Sequence, residues 1–187
     1  MVRSVMAVLL VAAMFSPAGL AREVSGAEIP ESLSRDGVDL ELVGAGVRDK
    51  FFIDVYVGAF YNTTGKAEPA TAVKAEEPQA ITLHILSDMV TAGRMEDATI
   101  EGFEKSTDGD IEPYRDDIDK ILEVFAEDIA AGDVFEMVYV PDKGLHVYKN
   151  DEFRGVWGNH GFKQVSFGIW LGDKPVQRGL KEAMLGQ

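Results

Sequence analysis

Cysteine is absent from all 187 residues. Its absence excludes disulfides, thiolate metal sites and cysteine nucleophiles, so the fold must rest on its core alone. Histidine is scarce: His84, His146 and His160 stand far apart, with no paired spacing that would build a zinc site on one element. Each reads as a surface or hydrogen-bonded imidazole. No G-x-S-x-G elbow is present. Gly44-Ala-Gly46 leads into a strand pattern and not a helix, which excludes a phosphate loop. The acidic stretch Asp108–Glu112 looks like the start of a calcium loop, but Pro113 stands where such a loop needs glycine. It reads as a turn between helices. Positive charge is also in short supply. Eighteen Lys and Arg face 32 Asp and Glu, a formal net charge of −14, which repels nucleic acid and anionic lipid headgroups.

Long apolar runs are missing too, except near the N-terminus. Arg3 is followed by an unbroken apolar run, Val5–Phe15, and then by the small-residue stretch Ser16–Ala21. That layout predicts a secretory signal peptide over residues 1–21, cleaved before Arg22, with Ala27 as an alternative site. The run is too short for a membrane anchor. The expected product is a single periplasmic or secreted domain over residues 22–187, with no membrane span.

Residues 23–36 are polar and read as a leader into the domain. Val38–Val43 alternates and predicts a strand ending at Gly44-Ala-Gly46. Phe51–Tyr61, rich in β-branched and aromatic residues, predicts the next, and Ile81–Ile85 another, across a surface loop over 62–79. Met95, Ala98, Thr99, Gly102 and Phe103 share one helical face behind the cap candidate Thr91. Tyr114, Ile118, Ile121, Leu122, Phe125 and Ile129 form a second stripe, stopped at Gly132. A three-stranded meander follows, with turns at Pro141–Gly144 and Asn150-Asp151. Two helices close the chain, one from Asn159 to Gly172 and one starting near Pro175. Strands, helices, strands and helices in that order give an α+β fold: a large antiparallel sheet under a layer of helices. Trp157 and Trp170 read as packing residues.

Arg48 is the residue without an obvious place. If one extended strand runs on from Arg48, alternation puts Arg48, Lys50, Phe52, Asp54 and Tyr56 on one face. Arg48 then either pairs with Asp54 or another acid at the sheet rim, or caps an apolar cleft and holds a carboxylate or phenolate, a role suited to a planar, permanently charged fork.

The stretch LVGAGVRDKFFIDVYVGAFY, Leu42–Tyr61, resembles the N-terminal signature of the chalcone isomerase-like superfamily. The C-terminal stretch from Gly161, with Ile169-Trp-Leu-Gly172 and a terminal Leu185-Gly186, is similar to that family's bacterial exported branch. The resemblance spans about residues 28–187. It implies an open-faced β-sandwich, a large antiparallel sheet with helices on it and a ligand cleft between them. It also implies that Arg48 stabilises an anionic oxygen, as in the plant isomerases, or holds a carboxylate, as in fatty-acid-binding relatives. The isomerases' threonine falls at Phe51, and their tyrosine and asparagine at Met95 and Gly102, so flavonoid cyclisation is not expected. The expected function is non-catalytic binding of a fatty acid or similar apolar anion, without cofactor or metal. Arg48, Tyr56 and Lys50 would meet the head and Met95 and Phe103 the chain. Two alternatives remain open: an isomerase or lyase using Arg48 as oxyanion stabiliser, and an interaction protein with no cleft.

Overall fold

The structure is a computed structural model that describes residues 21–187. The expected signal peptide, residues 1–21, lies outside the described residues except for Ala21. A two-stranded ribbon, β1 (Ala21–Val24) and β2 (Ala27–Pro30), precedes the main sheet. That sheet has seven antiparallel strands in sequence order: β3 (Ser32–Arg35), β4 (Val38–Lys50), β5 (Ile53–Asn62), β6 (Gln79–Ile85), β7 (Val134–Val140), β8 (Gly144–Lys149) and β9 (Glu152–Trp157). Helices α1 (Ala92–Ser106) and α2 (Arg115–Phe125) sit in the excursion between β6 and β7, and α3 (His160–Leu171) and α4 (Arg178–Met184) follow β9. The α+β architecture expected from the sequence is the one observed.

Both faces of the sheet are buried over its central strands, β5–β8. Phe60, Ile81, Leu83, Phe135, Met137 and Leu145 pack against Phe103, Ile118, Phe162 and Phe167 of the helices. On the other face Val57, Ala59, Tyr61, Ala80 and Val138 meet Leu40, Leu42, Leu33 and Ile29. Residues 23–36 are therefore not a polar leader. They form three short strands whose apolar residues, fully buried Ile29 above all, cover the face turned away from the helices. Period-two alternation over only four residues per strand is too brief to stand out in a polar segment.

β4 does not end at its glycines. It runs on to Lys50, and Gly44, Gly46 and Gly58 face α4. A Cβ on Gly44 would lie 2.2 Å from the Ala183 carbonyl oxygen, and one on Gly46 2.6 Å from the Ala183 Cβ. The glycines allow helix and sheet backbones to approach closely; no turn is made there. The turn comes at Phe51 and Phe52, where Lys50 pairs with Ile53 across a two-residue loop. Both phenylalanines have positive φ, +53° and +65°, the left-handed backbone that hairpin loops of this length usually build from Asn-Gly. Holding a non-glycine residue there costs about 1–2 kcal/mol each. Asn150 and Asp151 make the same shape (φ +52° and +65°) with residues suited to it.

Thr91 caps α1 by accepting from the Arg94 amide, and Asn159 caps α3 by accepting from that of Phe162. α2 stops at Phe125, so Ile129 lies beyond it, and α4 begins three residues after Pro175. The fully buried Lys163 donates to the carbonyls of Val73 and Ala75 at 3.0 and 2.8 Å and pins the 62–79 loop to α3. Its burial lowers the ammonium pKa to about 8.

His84, half-buried on the face away from the helices, shares a hydrogen bond with Thr82 Oγ1 at 3.1 Å. Burial pushes its imidazole pKa down to about 4 from 6.5. The unfolded chain therefore takes up this proton before the folded chain does. The stabilising contribution is full above pH 6.5 and is lost as pH falls toward 4. Allowing for partial exposure, the loss is about 2 kcal/mol. Urea denaturation between pH 7 and 4 should show His84→Gln losing less stability than wild type by that amount.

Candidate functional site

The helix layer leaves a gap over β4–β6. The cleft there measures ≈ 480 Å³, within the ordinary range for a small-molecule site. Tyr56 and Leu83 on the sheet, Met95, Ala98 and Thr99 on α1, Phe125 on α2 and Ile169 and Trp170 on α3 line it, and Val90 lies in the β6–α1 connection. Lys50, Phe51, Ile53, Met89 and Arg94 also belong to its lining.

Register explains the polar end. Arg48 pairs with Tyr56 directly across the β4–β5 hairpin, so the two share a face as cross-strand neighbours and not as residues of one strand. A bulge follows immediately, between Arg48 and Asp49, and both Val55 and Tyr56 reach the cleft. Arg48 makes no ion pair with Asp54 or any other carboxylate among the described residues. Its Nη1 donates to the Asp49 carbonyl and to Gln177 Oε1, each at 3.0 Å. Gln177 in turn donates to the Asp49 carboxylate at 2.6 Å and accepts from the Asp49 amide at 3.2 Å. The segment before α4 thus clamps the end of β4 and fixes the arginine. A guanidinium has five N–H donors, most of which this arrangement leaves for a ligand.

Tyr56 is buried, and its hydroxyl accepts from Trp170 Nε1 at 2.9 Å. With the oxygen serving as acceptor, the phenolic hydrogen is free to donate elsewhere. Burial raises the Tyr56 pKa, opposed by the Trp170 hydrogen bond and by the charge of Arg48. The group stays a neutral donor through the physiological range.

Among the lining residues three cations, Arg48, Lys50 and Arg94, face two carboxylates, Asp97 and Glu101. Glu101 is already engaged by Lys105 at 2.5 Å, which lowers its pKa. A locally positive mouth on a chain of net charge −14 favours an anion over a cation.

Arg48, Lys50, Tyr56 and Met95 come together on this cleft; Phe103 does not. It is one helical turn past Thr99, where α1 has closed onto α3. There Phe103 stacks on Phe162 at 5.8 Å, and a Cβ on Gly102 would lie 2.8 Å from Ile169. Two contributors were missed by sequence reasoning. Trp170 is more than packing, since its indole N–H orients Tyr56; the signal available was the adjacency of Ile169 and Trp170 on a buried helix. Gln177 lies in an irregular segment with no pattern to mark it.

A family profile described as chalcone isomerase-like matches residues 21–186. Comparison with curated proteins returns no match. Among solved structures, a fatty-acid binding protein of Arabidopsis thaliana superimposes with a TM-score of 0.65 at 16% identity, over 90% of this chain and 96% of that one. Likeness at that identity is likeness of fold.

Proposed function

This chain belongs to the chalcone isomerase-like family, and from that premise we propose that it is an exported, non-catalytic binder of a fatty acid or similar apolar anion. One observation carries the reading: an arginine with no carboxylate partner stands beside a buried tyrosine hydroxyl at an apolar cleft. A carboxylate seated there accepts from the guanidinium and from the Tyr56 O–H, charge-assisted bonds that favour the ionised ligand. Its acyl chain packs against Leu83, Val90, Met95, Phe125 and Ile169. Methionine suits such a wall because its unbranched side chain adapts to flexible ligands.

Catalysis is not part of the proposal. On the correspondence that the family resemblance implies, the isomerases' hydrogen-bonding residues are replaced by Phe51, Met95 and Gly102, whose side chains carry no group to orient a water or a proton. The open cleft also weighs against a pure interaction protein, which would have it filled. Export rests on the N-terminal pattern of residues 1–21, and the periplasm or the exterior is the proposed location.

The test is titration calorimetry with oleate and with its methyl ester. Oleate should bind saturably, one per chain, and the ester at least tenfold more weakly. Ala98→Trp, which fills the cleft from α1, should cut oleate affinity at least tenfold and leave the melting temperature within about 2 °C. Absence of saturable uptake of any fatty acid overturns the reading.

A further inference from the structure

Among the described residues, four of the six exposed large apolar side chains gather at the cleft; the other two, Phe153 and Val156, are on β9. The six are Phe51, Phe52, Ile53, Met89, Phe153 and Val156. Three of the six line the cleft, and Phe52 sits beside them on the hairpin tip. Phe51 is 82% and Phe52 104% exposed, so neither contributes to the core. Their positive φ angles mean that these two residues are held, with backbone strain, in a turn that other residues would make more easily. A strained, solvated aromatic pair at the entrance of a ligand cleft asks for a surface to bury it.

We propose that the Phe51–Phe52 tip is a lipid-surface anchor that enters the headgroup–acyl boundary of a zwitterionic phospholipid layer and sets the cleft mouth against it. The charges fit that occupant. Lys50 stands immediately behind the tip, its ammonium 6.0 Å from the centre of the Phe51 ring, where a cation meets the phosphate level once the rings are inserted. Arg48 and Arg94 lie in the same lining. The run Lys50–Ile53 has no acid; of the flanking acids, Asp49 is held by Gln177 and Asp54 follows the tip. A second copy of this chain is a poorer occupant, because each carries a net charge of −14 and the tip would bring lysine toward lysine. The same charge disfavours an anionic bilayer. A two-residue tip is also far smaller than the roughly 800 Å² per side of a specific protein interface. Entry of the ligand from the lipid layer rests on the fatty-acid reading above; docking itself does not.

The experiment is flotation with phosphatidylcholine vesicles, using the chain from Arg22 on, the expected product of cleavage, so that the apolar run Val5–Phe15 plays no part. Wild type, Phe52→Gly and Phe52→Trp are compared, with oleate binding in solution measured in parallel. Phe52 lies outside the cleft lining and glycine relieves its backbone, so Phe52→Gly should melt no lower than wild type and bind oleate equally well. Its partition onto vesicles should fall at least tenfold, and Phe52→Trp should restore it. Equal partition of wild type and Phe52→Gly overturns the anchor. So does a dimer in sedimentation that Phe52→Gly dissolves while no variant floats. Flotation that depends on Phe52 without any oleate binding upholds the anchor and sinks the fatty-acid reading, so the two can fail separately.

Discussion

Arg48→Ala should weaken oleate binding about 30-fold and leave the fold almost untouched. Hydrogen bonds to a charged group are each worth about 1.5–3 kcal/mol, or roughly 10- to 100-fold in affinity. In this cleft the arginine is the cation that Gln177 holds beside the Tyr56 hydroxyl. The folded protein loses little, because the Nη1 contacts of Arg48 reach one carbonyl and one loop side chain, and no buried acid is left unpaired. Stability should change by about 0.5 kcal/mol or less. Arg48→Lys keeps the charge but not the fork, and should recover only part of the affinity. Titration calorimetry and thermal melting, run on the same preparations, check both halves. An equal loss of affinity for oleate and its methyl ester on Arg48→Ala would remove the arginine from the headgroup.

The largest stability effect should come from Gly44→Ala. Its new methyl would meet the Ala183 carbonyl oxygen at 2.2 Å, the Gly186 amide nitrogen at 2.9 Å and the Met184 carbonyl oxygen at 3.1 Å. These are backbone atoms at the end of α4, so relief requires the helix to move off the sheet. Overpacking of this kind costs about 3 kcal/mol. Gly93→Ala, inside α1 with nothing within 4 Å of the new carbon, should instead stabilise by about 0.5 kcal/mol. Urea denaturation of the two variants tests the contrast. Because Gln177 sits at the start of α4, Gly44→Ala should also loosen Arg48 and weaken ligand binding.

The sequence carried the fold better than its junctions. One-sided helical stripes located α1–α3, and runs of β-branched and aromatic residues between turn residues located β5–β9, most of which are buried on both faces. The Asn150-Asp151 turn was legible because those residues suit a left-handed backbone, while Phe51–Phe52, of the same shape, was hidden inside what reads as one aromatic strand. That misreading still put Arg48 and Tyr56 on one face, since a cross-strand pair shares a face as surely as residues eight apart. The glycines of β4 pointed to a turn by habit of composition, when their reason is an α4 backbone pressed against them from 139 positions further along, Gly44 to Ala183. Phe103 belongs to the same helical stripe as Met95, yet periodicity cannot say where along a helix its neighbour closes in. For the same reason neither Trp170 nor Gln177 could be placed: their roles arise only from contacts between segments more than 110 residues apart.

The most direct test of the central claim is native mass spectrometry of the purified protein, with Arg48→Ala and Ala98→Trp beside it. The account predicts a one-to-one adduct with the mass of a long-chain carboxylic acid on wild type, reduced or lost in both variants. A wild type that carries no such adduct and takes none up from added oleate would contradict it.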